Sequence, residues 1–105
     1  MAAHLLIQYP QPKVADAFAR AYREQHLPYA GPRLMAAGAQ RVETRRVVGP
    51  EGSNPPYHWI SDIHFPDVAT MKACAGSKGG QEAVAHAASI SSGGALTVLA
   101  VVDEG

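Results

Sequence analysis

The apolar positions of this chain switch between two repeats, one of two residues and one of three to four. Residues 3–9 (AHLLIQY) read as a strand ended by Pro10 and Pro12. Within residues 13–26, Val14, Phe18, Ala21, Tyr22 and Gln25 are spaced as one face of a helix. Pro28 disfavours helical geometry at Leu27, which predicts that this helix stops close to His26. Residues 39–49 (AQRVETRRVVG) alternate like a strand, and 50–56 (PEGSNPP) form a turn-rich loop. The segment 57–65 (YHWISDIHF) is the most strand-like of all. Asp67 is placed to cap a helix running to about Gly76, and Ser77 opens a second helical piece whose start Gly79 and Gly80 weaken. After an SSGG loop, residues 95–102 (ALTVLAVV) form a last, nearly uninterrupted apolar strand. The order is βαββαβ, which predicts a ferredoxin-like α+β fold with a four-stranded antiparallel sheet in one domain, residues 1–105.

That order leaves a face uncovered. The helices can cover one side of such a sheet only. Yet the last strand is apolar on both sides, with Leu96, Val98, Ala100 and Val102 on one and Ala95, Thr97, Leu99 and Val101 on the other. Strand 57–65 puts Trp59, Ile63 and Phe65 on one side and His58, Ile60, Asp62 and His64 on the other. A second copy packing sheet on sheet would cover what remains, so a homodimer is expected.

Composition narrows the function classes. A chain of 105 residues can bury roughly 65% of its unfolded surface, enough for a two-layer core. Nine basic and nine acidic side chains cancel, and no basic stripe or polybasic helix marks a nucleic-acid or membrane partner. The single cysteine, Cys74, excludes an internal disulfide and suits a reducing compartment. The first ten residues hold only a three-residue apolar run, too short for a signal peptide or a span, so a cytoplasmic location is expected.

Three stretches, FARAYREQHLPYAGPRL (18–34), GAQRVETRRVVG (38–49) and SDIHFPDVATMKACAGSKGGQEAVA (61–85), carry a resemblance to a known family. Over roughly residues 4–102 the chain resembles the EthD-like family, small dimeric α+β-barrel proteins named for a gene cluster that degrades ethyl tert-butyl ether. The likeness lies in a helix ending at a His-x-Pro corner, an acidic strand, a Phe-Asp turn and a Ser-x-x-Gly step. It implies a dimeric α+β barrel. Proteins similar to these act as cofactor-free monooxygenases, isomerases, cyclases, dehydratases or haem-binding enzymes, so the fold does not settle the reaction. The chain departs from the family near residues 86–90, where an Asp followed four residues on by Phe is replaced by His86 and Ile90. The role of that Asp is not carried over.

The candidate chemistry starts at His26. It follows Tyr22 by four residues and Phe18 by eight, on the sheet-facing stripe. At a helix end the dipole favours the imidazolium and burial opposes it, which would leave His26 titrating near neutrality as a general acid or base. The alternative is a capping histidine that bonds the last carbonyls. For a histidine so placed, capping is the commoner role; the resemblance, in which a His recurs at this corner, brings the two readings close to even. Asp62 and His64 share a strand face, about 7 Å apart, assigned to the barrel interior. Buried Asp62 needs a partner: His64, a ligand, or Arg41 or Arg45 as a structural bridge. His26, Asp62 and His64 are then the candidate catalytic group, converging on one site. Tyr9 is either a phenol donor to the same cavity or a core aromatic. Tyr22, Tyr29, Leu34, Met35 and Trp59 are the expected lining.

Other signals are weaker. His58 and His64 stand about 20 Å apart along their strand and cannot share an ion, and no spacing matches a metal site, so neither metal nor cofactor is expected. GSKGG lacks the pattern of a phosphate loop and reads as a helix-start turn. Cys74 is expected to be buried and inert, and Arg41, Arg45 and Arg46 to form a solvated or cross-strand-paired edge. The expected function is cofactor-free acid–base chemistry (lyase, isomerase or oxygenase type) on a small hydrophobic oxygenated or aromatic catabolic intermediate. The alternatives are a non-catalytic small-molecule-binding accessory protein of a degradative pathway and a dimeric scaffold.

Overall fold

The alternation of strand β1 (Ala3–Pro10) decides which way the sheet faces. Ala3, Leu5, Ile7 and Tyr9 are buried, and the residues between them are half-buried. The computed structural model describes residues 1–105 and places β1 between β3 (Tyr57–Phe65) and β4 (Thr97–Val102), with β2 (Arg41–Arg46) on the far side of β3. All three pairings are antiparallel, in the order β2-β3-β1-β4. Strands β2 and β4 are shorter than the apolar pattern of the sequence implies.

Helices cover one face. Phe18, Tyr22, Ala30, Leu34, Met71, Cys74, Ala83 and Ala87 from the helical layer close over Leu5, Ile7, Tyr9, Trp59, Ile63 and Phe65 of the sheet. Burial pushes the thiol of Cys74 above its usual range, consistent with an inert packing role. Asp67 caps α3 (Val68–Gly76), its carboxylate accepting from the Thr70 N–H at 2.7 Å, and Ser77 Oγ caps α4 (Lys78–Ile90) at Gly80 N–H. Gly80 weakens that helix start in isolation but is required there. An added Cβ would lie 2.0 Å from the carbonyl oxygen of Cys74.

The long helical segment differs from expectation. It does not stop at His26: α1 (Ala15–Ala21) runs into a π-helical turn, Tyr22–His26, and then into α2 (Leu27–Ala36). The N–H of Leu27 reaches Tyr22 O, five residues back, so the chain passes Pro28 in a wider register. Pro28 then falls in the first turn of α2, where its missing N–H costs little. Pro32 lies further inside, on the exposed side.

The second face of the sheet is uncovered. On β4, Val98 and Val102 share the helix-side face by register, and Leu99 and Val101 the opposite one, yet all four are exposed. The helical layer does not reach this edge strand.

Candidate functional site

His26 sits in the middle of a continuous helical rod and is 4% exposed. It therefore neither caps a helix end nor feels the dipole there, and the two opposing effects expected of it reduce to one. Burial, reinforced by the neighbouring His86, lowers its pKa to about 4, so at neutral pH it is an uncharged imidazole. Its Nδ1 is 2.9 Å from Nδ1 of His86 on α4, with the rings nearly parallel. One nitrogen must donate and the other accept, so the pair holds one proton between the two atoms. His86 is only half-buried and its ring stacks on Tyr29, which in turn carries the Arg33 guanidinium 3.7 Å from its centroid. The residue that departs from the family pattern is thus the direct partner of the candidate base.

Beside this pair, two hollows share a wall. An open cleft of about 560 Å³ lies between α1, the π-turn and the β2–β3 edge. Its aromatic side is Tyr22, His58 and Trp59, and its charged rim is Asp16, Arg23 and Arg46. Tyr22 and Leu27 also border a small internal void that touches His26 and Leu34 and has room for about one water. The Tyr22 hydroxyl is hydrogen-bonded to Ser61 Oγ (2.6 Å) and to Thr44 Oγ1 (2.9 Å), which fixes the ring between the two. The buried Nε1 of Trp59 and the hydroxyl of Tyr9 have no hydrogen-bond partner.

His58 belongs to this cleft rather than to the opposite face. Tyr9 pairs with Trp59 and Pro10 with Tyr57, so His58 is the extra residue of a β-bulge and breaks the alternation of β3. It packs edge-on to Phe18. Burial and then the nearby Arg46 lower its pKa. Of the lining residues read from the sequence, Tyr22 and Trp59 face the cleft, Leu34 the void, and Tyr29 packs on His86. Met35 does not line it. At 48% exposed it points to solvent, one residue round the helix from buried Leu34. Tyr9 is a core aromatic, edge-on to Phe18 and Tyr22, and burial drives its phenol far above the usual range.

Asp62 and His64 are not part of this arrangement. They lie on the sheet face away from the helices, so the three candidate catalytic residues do not converge: His26 is on one side and the other two are on the other. Strand alternation enforces that separation, because His26 packs toward the face that carries Ser61 and Ile63. Asp62 accepts from Arg45 Nη1 at 2.7 Å, the cross-strand bridge anticipated from the sequence, and its other oxygen is 2.8 Å from Nδ1 of His4. His4 Nε2 is 2.9 Å from Asp103. His64 Nε2 lies 2.7 Å from Glu43 Oε1 and 3.3 Å from Asp62 Oδ2, but neither contact is aligned as a hydrogen bond. Burial acts to raise the Asp62 carboxyl, and the bonds from His4 and Arg45 outweigh it and hold it below the usual range. The same bond to Asp62 raises the pKa of His4. The ligand atoms of His4, Asp62 and His64 all lie within 4.8 Å of one another, close enough to share a cation. His4 could be found only through register: it pairs directly with His64 across β1 and β3, from 60 residues away in sequence.

No family model matches the sequence, and no curated protein matches it. Solved structures do match in fold. An ethyl tert-butyl ether d (EthD) family protein from Bacillus halodurans superposes with a TM-score of 0.80 at 20% identity, over 99% of this chain and 100% of its own. An EthD-like protein from Ralstonia eutropha gives 0.71 at 15% identity, over 95% and 89%. A dimeric ferredoxin-like protein of unknown function from Jannaschia gives 0.66 at 18% identity, over 98% and 100%. The EthD-like resemblance read from the sequence is therefore carried by the fold of the whole chain. No helix is long and apolar enough to cross a membrane.

Proposed function

We propose that the protein is a cofactor-free enzyme that moves a proton on a small hydrophobic, oxygenated or aromatic molecule, a catabolic intermediate in a degradative pathway. The molecule would lie in the cleft against Trp59, Tyr22 and His58, with Arg23 and Arg46 drawing an acidic oxygen to the rim. The observation that carries the reading is the uncharged, buried His26, one ring from the cleft wall and joined to half-buried His86. An uncharged imidazole that takes a proton from substrate at one nitrogen while passing its Nδ1 proton to His86 never carries the charge that burial disfavours, and the Nδ1–Nδ1 contact is the route for that transfer.

A second reading has its own support. The void beside His26 has room for about one water, so a substrate can reach the imidazole only if Tyr22 or Leu27 swings aside. Without that movement the cleft is a binding site for an accessory protein. Both are separated by adding small hydroxylated aromatic acids in deuterated water. Binding is followed by backbone NMR shifts and turnover by deuterium entering the ligand. The enzyme reading expects deuterium uptake that His26→Gln abolishes while binding survives, and loss of binding in Trp59→Ala. Shifts at Trp59 with no uptake in the native protein would leave only the binder.

The chain is also proposed to work as a homodimer, the bare sheet face and edge strand β4 packing on a second copy. Exposed Val98, Leu99, Val101 and Val102 support this. Sedimentation equilibrium at micromolar concentration is expected to give twice the 11.1 kDa chain mass, and Val101→Asp to return the monomer.

A further inference from the structure

We propose that His4, Asp62 and His64 form a binding site for a divalent transition-metal ion of the zinc type, on the sheet face opposite the cleft. The site is independent of the proton chemistry assigned to His26, since the sheet lies between them, and it belongs to the face proposed to pack on a second copy.

The argument begins with an orphan. His64 Nε2 is buried and has two carboxylate oxygens close by, Glu43 Oε1 at 2.7 Å and Asp62 Oδ2 at 3.3 Å, yet it is aligned to bond neither. Such crowding around an unbonded nitrogen is what a shared cation would relieve. The donor set fits that cation: two imidazoles and an ionised carboxylate are ligands that zinc and its neighbours prefer. The spacing is close to what such an ion needs. Nitrogens and oxygens bound at about 2.0–2.2 Å to one tetrahedral ion lie roughly 3–4 Å apart; the three ligand atoms here lie within 4.8 Å, so small side-chain rotations would bring them onto an ion.

The surrounding contacts are those of an oriented site. His4 turns Nδ1 toward Asp62 Oδ1 at 2.8 Å and bonds Nε2 to Asp103 Oδ1 at 2.9 Å. Carboxylate–histidine–metal sites use this arrangement, in which the outer carboxylate fixes the ring and the inner nitrogen faces the ion. Arg45 Nη1 grips Asp62 Oδ2 at 2.7 Å, so Oδ1 is the carboxylate oxygen that carries no arginine. The ion would take the place of the proton that His4 Nδ1 and Asp62 Oδ1 now share, so binding releases a proton. Two arginines, Arg41 and Arg45, pair with Glu43 on the exposed side and balance its charge without entering the ligand set.

The probe is Co²⁺, which replaces zinc and is coloured and paramagnetic, added to the folded protein and also during refolding. One ion per chain is expected, with a visible absorption band and broadening of the His4 and His64 ring resonances far beyond that of His26 and His86. His64→Gln should weaken binding at least tenfold, while His86→Gln, on the other face, leaves it unchanged. Absence of binding at millimolar Co²⁺ by both routes overturns the proposal. So does equal affinity in His64→Gln, or broadening centred on other histidines. Should His64→Gln not fold, the broadening pattern in the native protein decides alone.

Discussion

The molecule contains two histidine pairs on opposite faces of one sheet, and the environment shifts His26 in one and His4 in the other in opposite directions. His26 and His86 face each other beneath the helices, with an aromatic ring as the other neighbour of each. His4 and His64 lie edge to face on the open side, 4.5 Å between centroids, among Asp62, Asp103 and Glu43. In the first pair burial and a second imidazole disfavour charge, and His26 stays neutral. In the second the bond to Asp62 favours charge on His4 despite the opposing effect of burial. A histidine's chemistry is thus decided by which face of the sheet it joins.

The largest expected effect follows from the sign of these shifts. The folded pKa of His26, about 4, lies below its unfolded value of 6.5, so below pH 6.5 the unfolded chain takes up a proton that the fold refuses. Stability should therefore fall as pH drops from 6.5 to 4 and level off below. Relative to His26→Gln, the native protein should lose about 3 kcal/mol over that window in urea unfolding. His4 has the opposite sign. Its contribution is complete below pH 6.5 and is lost as pH rises through its raised folded value. Identical profiles for the native protein and His26→Gln would erase the contrast between the faces.

Asp62→Asn comes next. It removes charge from a group bonded to His4 and Arg45, and should cost about 2 kcal/mol at neutral pH, softened because Arg45 is half exposed. NMR titration should show the pKa of His4 falling and that of His26 unmoved. A shift at His26 would mean that the sheet does not insulate the faces. His86→Phe should cost about 1 kcal/mol by leaving His26 Nδ1 without a partner. The His26 pKa should rise in that variant yet stay below 6.5, because burial is the larger cause. The smallest effect belongs to Arg33→Ala, about 0.5 kcal/mol from the lost stacking on Tyr29, with a ring-current shift at His86 and none at His4.

Some of the site was legible and some was not. That Asp62 needs a partner, with an arginine of the neighbouring strand among the candidates, was visible locally; that the arginine is Arg45 rather than Arg41 came from strand pairing. Three features were hidden. The bulge at His58 arises from a register change between β1 and β3 and turns that residue toward Trp59. The π-turn lets the chain run through Pro28, which reads locally as a stop. The partners His86 and His4 are 60 and 58 residues from the groups they bond, His26 and Asp62.

By itself the sequence determined the element order, the capping by Asp67 and Ser77, and an apolar β4 that its own helices leave uncovered. These depend on local propensity and on periods of two and 3.6, which neighbouring residues carry without reference to the rest of the chain. Only the tertiary structure decided which histidines meet and in which direction the pKa values of His4 and His26 move. Strand register and helix packing set those distances, and electrostatic interactions change steeply over the few ångströms involved.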